Sequence, residues 1–350
     1  MRLALERLTD HLARKDAIVH VVYLPAGTNG EKVGVDDYLL THDISALKSL
    51  AQAPPSPINA VSPTTEILDE GPLTMTRPLS LIDNRGYAAV WLWQKTTTRE
   101  SLVNGEIKRH DPPIIQKRRE LCVVRDDGTV FGPGWSNSLS ELAIEIQMSN
   151  PPKDMKLWSS PGVKGFHFGY RPNPGDVFRR VCAILNRFMS FERSLASQER
   201  MCELVACYTL STWFLDTLNV IGYLWPSGPA GSGKTKLGVL VCEIAYLGEA
   251  LLSGSSYACL RDLAHMGATL LFDDAEDISN PKLTNPDKRN LLLAGNRKGT
   301  VVAVKECGPD RTWHTRYVNA FCPRLFTATR LPDPVLASRT IIVPLLRTSD

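Results

Sequence analysis

The chain has 350 residues, with 43% hydrophobic and 22% charged, the balance of a globular protein with room for two or three domains. A formal charge of +3 permits a nucleic-acid partner without requiring one. Eight cysteines include no CxxC pair, and several sit in apolar runs, which argues against a zinc ribbon and for a reducing compartment. No apolar stretch approaches the roughly 20 residues that span a bilayer, and "MRLALERLTDHLARKD" has charges where a signal peptide has an apolar region. The expectation is a cytoplasmic protein with no membrane partner.

Residues 1–53 read as helix, strand, loop, helix. "LALERLTDHLARK" has apolar residues at helical spacing, and "AIVHVVYLP" is a β-branched run closed by Pro25. "AGTNGEKVGVDDYL" reads as a loop and "DISALKSLAQA" as a helix capped by Asp43. A Pro/Ser-rich linker follows over 54–66. Residues 67–150 predict a small β-rich domain with strands "YAAVWLWQKTTT" and "ELCVVRDDGTVFG", the second turning at Asp126-Asp127-Gly128. Between these strands "IKRHDPPIIQKRRE" reads as a loop. It gathers Lys108, Arg109, His110, Lys117, Arg118 and Arg119, either as a solvated face or as a contact for a nucleic-acid backbone. Residues 151–175 read as a connector, and 176–219 as two helices leading into the strand "VIGYLW".

That strand opens the most informative stretch. Gly228-Pro229-Ala230-Gly231-Ser232-Gly233-Lys234-Thr235 fits GxxxxGK[ST] between a strand and the helix "GKTKLGVLVCEIAYL". Glycines there let backbone N–H groups turn inward around phosphates at a helix N-terminus. Lys234 reaches the β- and γ-phosphates of ATP, and the Thr235 hydroxyl ligates Mg²⁺. About 40 residues on, "GATLLFDDAED" supplies a second strand ending in carboxylates. Asp273 is expected to hold Mg²⁺ through its waters, and Asp274 to orient or deprotonate the attacking water. One helix, the strand "EALLSG" and the helix "SSYACLRDLAHM" fill the interval, the order expected of an additional-strand ATPase core.

Further along, "RLFTATRLPD" is a strand ending in hydroxyl residues. Thr329, with Thr327 as the alternative, is placed to touch the γ-phosphate or the water, or to cap the strand. "LPDPVLASRTIIVPL" sets Arg339 before a last strand, either as a surface ion pair or as a group for a neighbouring subunit's γ-phosphate. Before these, "GTVVAVKECGPDRTWHTRYVNAF" reads as a β-hairpin turning at "CGPD". Lys305, Arg311, His314 and Arg316, with Trp313 among them, suit a strand of nucleic acid; the bland alternative is a solvated hairpin packed on the core.

From Tyr223 to Arg347, about a third of the chain, the sequence resembles AAA+ helicase-type ATPases, with the superfamily 3 and minichromosome-maintenance-like helicases of mobile elements as the best match. "GPAGSGKT", "LLFDDAED", the 299–321 hairpin and "LPDPVLASRTIIVPL" carry the resemblance. It departs from most AAA+ proteins in having Asp274 where they have Glu, and in stopping at Asp350 before any helical lid. "VVYLPAGTNGEKVGVDDYL" is similar to the end of a Toprim-like domain in primase–helicase fusions. The catalytic Glu and Asp-x-Asp loop of such domains have no counterpart before residue 20, where Glu6, Asp10 and Asp16 fall on or at the end of a helix; Asp36 and Asp37 are left as remnants.

The expected fold is therefore α/β: a P-loop AAA+ domain over 176–350 (core 220–350) with a parallel sheet and an inserted β-hairpin, preceded by the β-rich domain and an incomplete Toprim-like fragment. The resemblance implies Mg²⁺-dependent ATP hydrolysis that drives translocation on, or unwinding of, single-stranded or forked DNA by a homo-oligomeric, hexameric ring. The alternative is an ATP-driven protein remodeller or regulatory switch.

Overall fold

The structure, a computed structural model, describes residues 12, 20–26, 32–52, 71–103, 106–148, 157–251, 255–273, 275, 278, 286–308 and 311–347. The chain divides into two compact units, Met1–Gly71 and Pro72–Asp350. The linker expected over 54–66 lies outside the described residues, as do Glu6, Asp10 and Asp16.

In the first unit, β1 (Val21–Val22) pairs antiparallel with β2 (Ala51–Gln52). Two short helices come between them in the chain, α1 (Val35–Thr41) and α2 (Ile44–Ser49). Asp43 caps α2 by accepting from the Ala46 N–H. The "VDDYL" part of the expected loop is instead helical, in α1. Asp37 reaches back to accept from the Gly34 N–H, and Asp36 and Asp37 both lie in the first turn, where the helix dipole favours negative charge. That role accounts for the two carboxylates. Among the described residues no cluster of His, Cys, Asp and Glu could hold a metal ion.

The second unit begins with a four-stranded antiparallel sheet: β4 (Leu79–Ile82), β5 (Arg85–Val103), β6 (Glu106–Arg125) and β7 (Val130–Phe131). Beside it β3 (Leu73–Met75) pairs parallel with β8 (Ile144–Ile146). Side chains alternate along the sheet. Tyr87, Ala89 and Val123 pack with Met75 and Leu142 on one face. Ala88, Val90 and Cys122 pack with Val163 on the other. Val163 belongs to α3 (Ser160–His167), capped by Ser159, so the stretch read as a connector contributes a helix that covers one face of the sheet.

"IKRHDPPIIQKRRE" is likewise not a loop but part of β6. Its prolines mislead because they sit in an irregularity: Thr98 pairs with Ile114, and Glu100 with Arg109, so β6 carries three extra residues there.

The helices α4 (Pro174–Phe188) and α5 (Gln198–Ser211) lead into a five-stranded sheet. Its strands are β9 (Tyr223–Ser227), β10 (Glu249–Leu251), β11 (Leu270–Phe272), β14 (Arg324–Phe326) and β15 (Thr340–Pro344). They lie in the order β10-β11-β14-β9-β15, every neighbouring pair parallel. β9, β11 and β14 are buried along their whole length, as strands inside a parallel sheet covered on both faces are. The helix α6 (Lys234–Ile244) crosses the sheet so closely that a Cβ on Gly238 would stand 2.6 Å from a Leu271 methyl. The hairpin is present, with β12 (Val301–Cys307) antiparallel to β13 (Trp313–Asn319).

Two buried arginines tie these layers together. Arg77 donates to the carbonyls of His265 and Phe321 and faces Asp216, joining the β-rich layer to the parallel sheet within one unit. Arg324, on the central strand β14, is fully buried and donates to Tyr223 Oη and to the Leu292 and Ala320 carbonyls. Gly295 leaves space for its guanidinium. Arg324→Met should strand these acceptors and cost about 3 kcal/mol. Urea unfolding should show a lower midpoint at constant slope; an unchanged midpoint would show that the network contributes no net stability.

Candidate active site

Because β9, β11 and β14 run parallel, their C-terminal ends open on one side of the sheet. Phe272 lies level with Phe326, and Ser227 bridges Ala328, so Asp273, Thr327 and the start of the glycine-rich loop share one level. The sheet order places β14 between the loop strand and the carboxylate strand.

The loop's shape comes from its glycines. Gly231 and Gly233 have φ of +78° and +84°, in the left-handed region that side chains avoid. A Cβ on Gly228 would stand 2.7 Å from both the Leu345 carbonyl and Ser232 Oγ. Ser232 Oγ is itself buried without a hydrogen-bond partner. Gly233 ends the loop as the N-cap of α6, with no side-chain cap on its first N–H groups. Those N–H groups, with the positive end of the dipole, form an anion site. Lys234 Nζ donates to the Gly228 and Pro229 carbonyls at 2.9 and 3.0 Å, which holds its ammonium over the loop. Pro229 and Ala230 supply backbone only.

Thr235 Oγ1 lies 2.9 and 3.1 Å from the two Asp273 carboxylate oxygens. The exposed hydroxyl and the carboxylate are hard oxygen donors, the chemistry Mg²⁺ takes when it is shared with phosphates. The site residues therefore fit a magnesium nucleotide: a cradle that a Cβ would fill, an orphaned hydroxyl, and paired oxygen donors at its mouth. Asp274 lies outside the described residues.

On the next strand, Thr327 is buried and its hydroxyl donates to Asp273 Oδ1. Thr329 is exposed two residues further on. The preference for Thr329 over Thr327 thus meets the opposite geometry. The register decides it: Phe326 lies level with Phe272, so the next residue of each strand, Thr327 and Asp273, meet. Sequence alone offers two hydroxyls at the strand end with nothing to set the register.

Arg339 stands at the other end of the sheet. Thr340 pairs with Tyr223, and the Tyr223 N–H donates to the Arg339 carbonyl. The loop begins after Ser227, four residues along β9, or roughly 13 Å away. Arg339 is half-buried, and among the described residues its Nη1 has no hydrogen-bond partner. Arg347 went unnoticed in the sequence. Its Nε lies 3.7 Å from where a Gly231 Cβ would be, so a second cation stands beside the loop. No motif marks it, because β15 returns the chain to the loop only in three dimensions.

The hairpin has two unlike faces. Val302, Val304, Glu306, His314, Arg316 and Val318 share the inner one, and Lys305, Trp313 and Tyr317 the outer one. Arg316 pairs with Asp262 at 2.9 Å and Glu306 at 3.5 Å, which fastens β13 to the helix α7 (Tyr257–His265). It is a structural anchor here, and the four cations do not form one surface. His314 is exposed opposite Glu306, and Arg311 is exposed at the turn with φ +62°. Trp313 and Tyr317 are about two-thirds exposed. Tyr317 escaped notice because only the observed register puts it beside Lys305.

His265, at the end of α7, accepts from the Asn319 N–H at its Nδ1. Burial first, then Arg316 and Arg77, hold its imidazole below the ordinary value. The unfolded chain therefore takes up that proton first as pH falls, so this contribution is complete above the ordinary histidine range and is lost below it. Thermal stability should drop between pH 7 and pH 5, and His265→Gln should shrink the drop. An equal drop in that variant would assign it to other groups.

No family model matches the chain, and no curated protein does. Solved structures do match. One is the structure of C. elegans PCH-2, with a TM-score of 0.27 and 12% identity over 73% of this chain. The similarity spans 64% of that chain. Among the described residues no helix is long and apolar enough to cross a membrane.

Proposed function

We propose that this chain is a Mg²⁺-dependent P-loop ATPase of the AAA+ type that uses hydrolysis to move along or unwind DNA. The observation that carries the ATPase reading is the Thr235–Asp273 pair at the mouth of the glycine loop. Phosphates lie against the N–H groups at the start of α6, and Lys234 moves from the loop carbonyls to the β- and γ-oxygens. Magnesium, when bound, neutralises charge on the phosphate oxygens during transfer. Thr235 and Asp273 hold the metal, Thr327 orients the Asp273 carboxylate, and Asp274 takes the proton of the attacking water. Arg339 cannot serve its own loop from the far end of β9, so it acts on a neighbouring copy. That geometry calls for a ring, and a hexamer is the form the AAA+ resemblance implies.

Lys305, Trp313 and Tyr317 on the outer face of the hairpin meet a nucleic-acid strand, with Arg311 at the turn. A second reading, a protein remodeller, draws on the same face: with Arg316 committed to carboxylates, an aromatic pair and one lysine also suit an extended peptide. ATP turnover with and without single-stranded DNA separates the two. A several-fold rise that Lys305→Ala and Trp313→Ala remove supports the DNA reading. Turnover indifferent to DNA moves the remodeller ahead.

A further inference from the structure

Residues 93–119 carry seven lysines and arginines against three carboxylates, a surplus of four where the whole chain nets +3. They form the outer part of the β5–β6 ribbon. On one face Lys95 lies directly opposite Lys117, and the neighbouring cross-strand pair is Trp93 with Arg119. Directly opposed like charges destabilise a ribbon unless something neutralises them. Lys95 and Lys117 have no ion pair among the described residues. Trp93, beside them, is 67% exposed.

At the root of this arm is a cleft of about 580 Å³ between the ribbon and α3. Gln94 and Thr96 face it from the ribbon, with Trp135, Lys164, His167 and Phe168 around them, and Lys95 borders it from the ribbon's other face; among the described residues no carboxylate lines it. The His167 ring stands edge-on to Trp135, and Phe168 is 75% exposed. Open aromatic faces beside Lys164, with Lys95 and Lys117 across the ribbon, suit a ligand that offers flat rings and negative charge together. The volume is that of an ordinary small-ligand site.

We infer that the β5–β6 arm and the cleft at its root form a binding site for single-stranded nucleic acid, separate from the 301–319 hairpin. Lys95 and Lys117 neutralise phosphates and Trp93 stacks a base on one face of the arm. The nucleic-acid strand passes the β5 edge, which β4 pairs only over Arg85–Ala88, so that the cleft on the other face takes an unstacked base against Phe168. The inference deepens the DNA reading above, but the surface stands on its own charge and shape.

The test is fluorescence anisotropy of a labelled oligothymidylate, titrated with salt, on the full chain. Lys305→Ala serves as the background that weakens the hairpin contact. Lys95→Ala/Lys117→Ala should weaken binding at least about ten-fold and reduce the salt slope by about 1.4, since each single-strand phosphate contact contributes about 0.7. Phe168→Ala should weaken binding about five-fold or more with the slope unchanged, the signature of lost stacking. Unchanged melting temperatures in the variants establish that the arm stays folded. Unchanged affinity and slope in the double lysine variant would overturn the site; if the hairpin variant alone loses binding, the DNA reading survives without it. Binding lost through the arm variants while turnover ignores DNA even in the unmodified chain keeps the site and overturns DNA-driven hydrolysis. A chain that binds no oligonucleotide overturns both.

Discussion

Lys234→Ala should lower ATP turnover by at least about 10²-fold, the scale on which single preorganised donors act on developing charge. The variant should stay folded. Among the described residues the ammonium meets the carbonyls of Gly228 and Pro229, at the surface of the loop, and no buried group depends on it. The loop's shape comes instead from Gly231, Gly233 and the close approach of Gly228 to Leu345. The measurement is steady-state phosphate release beside a melting curve. Retained turnover would remove the glycine loop, and with it the proposed P-loop mechanism, from the hydrolysis.

Arg339→Ala should cost about 10³–10⁵ in turnover if it meets the γ-phosphate of a neighbour, the range an arginine supplied in trans contributes. The sharper result comes from mixing. Lys234→Ala and Arg339→Ala chains, each inactive alone, should regain turnover together, because an intact loop then meets an intact arginine across the interface. The distance along β9 makes this decisive, since within one chain the two residues sit at opposite ends of the strand. Failure of the mixture to recover activity would make Arg339 a fold residue, with its half-buried guanidinium beside Tyr223 as the reason.

Thr327→Val tests a smaller effect. The substitution keeps the β-branched shape of a buried residue but removes the donor to Asp273. Turnover should fall while nucleotide binding changes little, and Thr329→Val should leave both near normal. A reversal of the two would restore Thr329 as the residue near the γ-phosphate.

Much of the local structure was legible before any coordinates. The glycine loop is a strand, a glycine turn and a helix within a few residues, so its shape follows from local backbone preferences. Asp43 at its cap and the 301–319 hairpin are likewise short-range patterns. The long ribbon was hidden, because Pro112 and Pro113 imitate a loop and only pairing with β5 shows them inside a strand. The helix α3 was hidden too, in a stretch whose order depends on the sheet face that Val163 covers.

The residue order sets the chemistry on offer: a glycine loop with Lys234 and Thr235, carboxylates after an apolar strand, and cations spread over two β-ribbons. Which of these residues meet is set by long-range strand pairing. The parallel order of the sheet sets Asp273 against Thr235 and Thr327, sends Arg339 to the far end, and turns Arg316 inward while leaving Tyr317 outside. Those outcomes are matters of strand order and register, which a side-chain period of two leaves open until the partner strands are in place.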